Sequence, residues 1–336
     1  MTITPASVHS QNSIYKNAEF IDSREDTADL GFLINSSEEY NYTVVPQYPL
    51  GQQFVSLFDS IVVKPTGANH LAIQLRRLVF TETISGYCAI RINLYSKSDS
   101  GYQKISMLDT VIEINHGTVF SGKMEKRIFK ACSMALENYL NRNLNKAATS
   151  KEYLNPEQVK NIDSVEKRLL PLYTTEKYKN GIYGLFKYFV NQQPTDTIFT
   201  VKMKGDKLIK ITKKYTEDYT DDIDPANIYA VVVQGKPYVT TEYGFYPLQK
   251  TGTDFYFTGK EKIDQRGINY ISTGAFAGKA FGAVGGVAGM GAGAIVGAGI
   301  GGVISSLQGS PKATFEMKVD YVNGEHIQLK QIENSK

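Results

Sequence analysis

The sequence predicts an α+β protein: an N-terminal antiparallel sheet with helices, then a C-terminal β-rich meander interrupted by a Gly-rich helical hairpin. Three observations carry this. Apolar and polar residues alternate between residues 71 and 114, the period of half-buried strands. Apolar residues recur at helical spacing on both sides of that block, at Phe54, Leu57, Phe58 and Ile61 and at Ile128, Cys132, Leu136 and Leu140. Short strand-like runs then follow one another from 197 to 258 and resume after a nearly uncharged run at 272–307.

Composition bounds what the chain can be. Its 336 residues have room for two domains with separate cores. Hydrophobic residues at 42% and charged ones at 21% are globular values and exclude a disordered chain. The net charge is +3, with no basic stripe interleaved with aromatics, so nucleic acid is not an expected partner.

Residues 1–24 read as a tail. They have no basic start and no long apolar core, yet Ala6, Ser7 and Ser10 leading into Gln11 are similar to the end of a signal peptide. An ordinary N-terminal tail is the other reading.

The first domain spans 25–146. Gly31–Ile34 predicts a short strand and Gln52–Val63 a helix. Leu71–Thr81, Tyr87–Tyr95 and Ile105–Ile114 predict three strands, separated by turns at Ser85-Gly86 and Ser98–Gly101. Gly122–Leu144 predicts the closing amphipathic helix. Cys88 falls on the apolar face of its strand and Cys132 on that of its helix, so a helix packed on the sheet brings them together. Two buried thiols and a disulfide both fit that placement.

Residues 147–180 form a partly helical linker, with a helix over Glu157–Leu169 started by Pro156 and ended by Pro171. The β-rich domain covers 181–336. A short helix, Leu185–Val190, precedes strands at Thr197–Met203, Lys207–Thr212, Ile228–Val233, Tyr238–Thr241, Phe245–Leu248 and Phe255–Thr258. Beyond the insertion, Thr314–Val322 and His326–Leu329 flank Asn323-Gly324, a hairpin signal. An isolated hairpin is marginal, so this one should complete the earlier sheet.

The insertion, 272–307, holds one charge, Lys279, and glycines at a spacing of four: Gly274, Gly278, Gly282 and Gly286, then Gly289, Gly293, Gly297 and Gly301. That spacing puts them on one helical face without Cβ atoms. In water each interior Gly weakens a helix by about 0.8–1 kcal/mol relative to Ala, whereas in a bilayer or against a second helix it permits close approach. A single crossing would strand the last hairpin away from its sheet. The run is therefore expected to turn back near Met290–Gly293, in two arms rising roughly 24 Å each. Such arms are short of a ~30 Å hydrocarbon core, a mismatch that a thinner bilayer absorbs.

This run resembles the glycine-zipper two-helix segments of bacterial envelope proteins. The order around it is similar to uncharacterised exported proteins of the Bacteroidetes over about residues 180–331. That order runs from Gly181-Ile182-Tyr183 and a Phe-rich helix through Gln234-Gly235-Lys236 and the zipper to Val322-Asn323-Gly324-Glu325. The resemblance implies membrane or helix packing and no catalytic residues.

No nucleophile–base pattern surrounds His9, His70, His116 or His326, and Cys88 and Cys132 have no metal spacing. The sequence GAGAIVGAG lacks the preceding strand and following acid of a dinucleotide site. Glu217, Asp218, Asp221, Asp222 and Asp224 lack the glycine and glutamate of a calcium loop and read as a solvated turn. Tyr229, Tyr238, Tyr243, Tyr246 and Tyr256 serve either as cross-strand packing or as a binding face, and Tyr270 suits a membrane interface.

The expectation is a non-enzymatic protein of the bacterial cell envelope, periplasm or outer membrane, with no cofactor. Residues 272–307 would contact membrane lipid or a second copy. The alternatives are a cytoplasmic or otherwise soluble protein that binds a ligand or an unknown protein partner, its glycine hairpin packed internally or in a homo-oligomer, and a membrane-inserting effector.

Overall fold

The strand His70–Glu82 buries Leu71, Ile73 and Leu75, then Leu78 and Phe80. The parity of its apolar positions changes because a β-bulge falls between Leu75 and Arg77, which keeps one face apolar along the full strand. The computed structural model that shows this describes residues 1–4, 11–25, 27, 29–35, 40–83, 85–115, 123–148, 150–215, 219–264, 266 and 312–332. It is an α+β fold with a β-rich C-terminal part, divided into two units.

The first unit includes Met1–Asn161. Its elements are β1 (Gln11–Ser13), β2 (Ala18–Asp22), β3 (Gly31–Asn35), β4 (Tyr40–Thr43), α1 (Leu50–Ile61), β5 (Val62–Pro65), β6 (His70–Glu82), β7 (Ser85–Ser98), β8 (Gly101–Asn115), α2 (Met124–Asn141) and α3 (Pro156–Lys160). The long strands β6, β7 and β8 are antiparallel neighbours. Strands β2 and β3 instead join β6 in parallel, one beside Leu71–Leu75 and the other beside Phe80 and Thr81. Residues ahead of 25 therefore belong to this unit: Tyr15 is buried, and Phe20 stacks on Phe54 with ring centroids 5.0 Å apart. Cys88, Ile90, Ile92 and Leu94 of β7 meet Phe54 and Leu57 of α1 and Ile128, Cys132 and Leu136 of α2 in one core. Burial of these side chains is the main force holding helices to sheet.

The second unit takes in Ile162–Asp264 and the last two strands. It contains α4 (Ile162–Lys167), α5 (Pro171–Thr174), β9 (Gly181–Tyr183), α6 (Phe186–Val190), β10 (Phe199–Lys204), β11 (Lys207–Lys214), β12 (Thr220–Asp222), β13 (Ala230–Val233), β14 (Lys236–Thr241), β15 (Gly244–Pro247), β16 (Gln249–Thr251), β17 (Asp254–Lys262), β18 (Lys312–Val319) and β19 (His326–Ile332). The expected meander divides into three sheets, ordered β10-β11-β12, β15-β14-β13-β9 and β16-β17-β18-β19.

The middle sheet is buried on both faces. Ile182, Val231 and Tyr238 share a cluster with Leu208 and Ile211 of β11, while Tyr183, Ala230, Val232 and Val239 pack with Phe255, Phe257, Phe315 and Met317 of the third sheet. A strand covered on both sides has no polar face, which is why β13 reads Ala-Val-Val-Val without alternation. The turn Gln234-Gly235 has positive φ at both positions (51° and 75°), the primed geometry that matches strand twist.

Three expectations are corrected. The helix over Glu157–Leu169 is two short helices interrupted at Asn161, which has φ −103° and ψ 35°. Pro171 starts α5 instead of ending a helix, because the first helical position needs no N–H donor. The last hairpin does not turn on Asn323-Gly324 alone: Val319 pairs with His326, and residues 320–325 form the loop. There Asp320 accepts from the Val322 and Gly324 amides and donates its own amide to Glu325, a local network that competes with a two-residue turn.

Candidate functional site

Gly274, Gly278, Gly282, Gly286, Gly289, Gly293, Gly297 and Gly301 lie outside the described residues, as do the expected helical hairpin of 272–307 and Tyr270. What the structure describes is the place where that segment leaves and rejoins the fold. Strands β17 and β18 are antiparallel neighbours from the pair Tyr256 and Lys318 to the last pair, which sets Lys262 opposite Lys312. The connection that carries the insertion thus leaves and rejoins one sheet at adjacent points.

Buried Gln328 of β19 fixes the exit. Its side-chain amide donates to the Lys262 carbonyl at 2.6 Å and its oxygen accepts from the Asp264 amide at 3.3 Å. Both Lys262 and Lys312 have partners from the β14–β15 turn. Lys262 Nζ is 2.8 Å from Glu242 Oε2, and Lys312 Nζ lies 5.1 Å from the centre of the Tyr243 ring. Burial alone would raise the Glu242 carboxyl, but hydrogen bonds from Lys262 and Tyr243 outweigh it and hold the group below its ordinary 4.5. Burial, then the adjacent Glu242 carboxylate, pushes the Tyr243 phenol up to about 12. Thr241 Oγ1 donates to the Lys260 carbonyl at 2.8 Å and ties the same turn to β17.

His326 sits one strand further in. Its Nδ1 is 3.5 Å from Glu261 Oε2, and its ring meets Phe257 edge-on with centroids 4.8 Å apart. Among the described residues its buried Nε2 has no hydrogen-bond partner. No serine, cysteine or second acid is placed by these contacts as a nucleophile beside it. His70 opens β6, whereas His9 and His116 lie outside the described residues.

The remaining candidates are distributed through the fold. Cys88 and Cys132 are both buried and free, close enough for one thiol to hydrogen-bond the other; burial, and then that contact, pushes the Cys88 thiol well up. Of the acidic turn, Glu217 and Asp218 are outside the described residues. Asp222 pairs with Lys210 at 2.5 Å, and Asp224 accepts from the Ala226 amide at 2.9 Å. Among the described residues, no group of three or more His, Cys, Asp or Glu is arranged to hold a metal ion.

The tyrosines mostly face inward. Tyr229 donates to the Gly324 carbonyl at 3.0 Å and packs against Phe186. Tyr246 lies over Gly259, whose missing Cβ makes room for its ring. Tyr238 is buried against β11. Phe186, Tyr229 and Gly324, which are far apart in sequence, form one cluster, a grouping that only the register of β9, β13 and β19 makes visible.

Among the described residues no helix is long and apolar enough to cross a membrane. No protein-family model and no curated protein sequence matches the chain. Several solved structures match part of it, two of them as follows. One is a Xanthomonas campestris protein of the DUF330 family, 12% identical over 42% of this chain and 91% of that one, with a TM-score of 0.29. The other is an uncharacterized protein, 12% identical over 42% of this chain and 99% of its own, with a TM-score of 0.25. At those scores neither carries an argument about fold or activity.

Proposed function

We propose that this is a non-enzymatic bacterial cell-envelope protein of the glycine-zipper kind, held at a membrane by residues 272–307, which enter the lipid and return. The observation that carries this reading is the pairing of Lys262 with Lys312. A segment that leaves and rejoins adjacent strands must cross a bilayer an even number of times or dip into one leaflet. Its composition suits that path: one charge among 36 residues (272 to 307 inclusive) and glycines every fourth position. Lys312, beside the Tyr243 ring, supplies a cation at the neck, where long basic side chains suit a headgroup level, while Lys262 is paired with Glu242. The inward packing of Tyr229, Tyr238 and Tyr246 weighs against the alternative in which a tyrosine-bearing sheet binds a soluble partner.

The zipper makes a separate claim, close contact between helices through glycine faces. Replacing Gly282, Gly286, Gly289 and Gly293 by Leu keeps the run apolar but fills the groove. The quadruple variant should still require detergent for extraction and should lose the compact or self-associated state of the parent in detergent, as read by crosslinking. Unchanged crosslinking would remove the zipper, and extraction of the parent without detergent would remove the membrane.

A further inference from the structure

We propose that the hairpin β10–β11 is a second, peripheral contact with membrane: a lysine face that binds the phosphate headgroups of anionic lipid. Residues 199–214 contain Lys202, Lys204, Lys207, Lys210, Lys213 and Lys214 against a single acid, Asp206. The register sorts them. Val201, Leu208 and Ile211 point inward to the middle sheet. On the outward face Lys202 stands directly opposite Lys210, and Lys204 directly opposite Lys207 across the Gly205-Asp206 turn, all four exposed. Lys213 is separately neutralised by Asp196 at 2.6 Å, and Lys210 by Asp222. Among the described residues, Lys202, Lys204 and Lys207 have no carboxylate partner.

Like charges facing each other across strands are destabilising. Protection of an edge explains lysines on β10, the outer strand of its sheet. Strand β12 covers β11 only at Thr212–Lys214, so edge protection accounts for Lys207 as well, but it does not account for lysines set directly opposite one another across the two strands. Asp222 already offsets Lys210, so the facing pair left uncompensated is Lys204 with Lys207, beside Lys202, and an anion shared by these three relieves it. The chemistry of the face favours lipid phosphate over nucleic acid. Its cations are all Lys, point charges that do not make the bidentate contacts of Arg. Exposed aliphatic side chains, Ile209 (49%) at the register shift and Ile198 (66%) ahead of β10, accompany the lysines and suit a headgroup–acyl boundary. The choice of lipid also rests on the membrane reading of residues 272–307.

Flotation of the full chain with phosphatidylcholine vesicles, with and without phosphatidylglycerol, separates the two readings. Binding to neutral vesicles reports residues 272–307, and the extra binding on adding anionic lipid reports the hairpin. The triple variant Lys202→Gln, Lys204→Gln, Lys207→Gln should lose about tenfold or more of the affinity for anionic vesicles at low salt. It should bind neutral vesicles as the parent does. It should also melt no lower than the parent, since repulsion is removed, and the Lys→Arg triple should retain anionic binding. Equal binding of parent and Gln variant to anionic vesicles overturns the proposal. So does displacement of the parent from those vesicles by a single-stranded oligonucleotide at equal phosphate.

Discussion

Lys262 faces Lys312 across β17 and β18, and Gln328 holds the chain just past Lys262 by two hydrogen bonds. The neck of the insertion is therefore built by the sheet and not by the segment it carries. Replacing residues 267–310 with a short Asn-Gly-containing turn should leave β17 and β18 paired. Shortening the connection roughly sevenfold lowers the entropic cost of closure by about 1.7 kcal/mol. The shortened protein should keep the parent's strand content by circular dichroism and melt at the same or a higher temperature. Loss of cooperative unfolding would mean that the segment is required to form the sheet.

Glu242 links that neck to pH. Its carboxyl is held below its ordinary 4.5 when folded, so its contribution is present above that value and is lost as pH falls through the lower folded value. Glu242→Gln should flatten the acid side of the stability profile below about pH 4.5, leaving the profile near pH 7 parallel to the parent's. An unaltered acid limb, followed by urea melts across pH, would show that the Lys262 contact contributes nothing.

In the second unit, Lys167 of α4 is buried with Asp254 of β17 at 2.6 Å and lies 5.0 Å from the centre of the Tyr321 ring. Among the described residues, Lys167→Ala leaves Asp254 with Lys318, at 3.4 Å, as its remaining cation in a largely desolvated site. Breaking a buried pair in this way costs about 3 kcal/mol, whereas Lys167→Met keeps the packing and should cost less. Equal losses for the two variants, in denaturant titrations, would assign the effect to the lost charge pair alone, and no loss for Lys167→Met would assign it to packing.

Gly324 has φ +80°, and a Cβ there would come within 2.4 Å of the Phe186 ring. Strain and overlap act together, so Gly324→Ala should destabilise by about 2 kcal/mol or more. The double variant Gly324→Ala, Phe186→Ala should recover only the steric part. Full recovery would show that the backbone conformation is not the constraint.

Parity made much of this fold legible. Phe54, Leu57, Phe58 and Ile61 mark α1, and the shift from Leu75 to Leu78 marks the bulge in β6. Parallel pairing of β2 and β3 with β6 was not legible, because short strands such as Ala18–Asp22 carry no periodic signal. The lysine face was hidden for a different reason. Lys202, Lys204, Lys207 and Lys210 become one surface only when the register across Gly205 is known. Gln328 gave no signal either, since a buried glutamine in a strand reads as an ordinary polar position until its partners are seen.

The most direct test compares the full chain with the 267–310 replacement by flotation on neutral vesicles, after an alkaline carbonate wash. If residues 272–307 hold the protein in lipid, the full chain stays with the vesicles and the folded, shortened chain stays in the aqueous fraction. Recovery of both in the aqueous fraction, or of both with the vesicles, would contradict it.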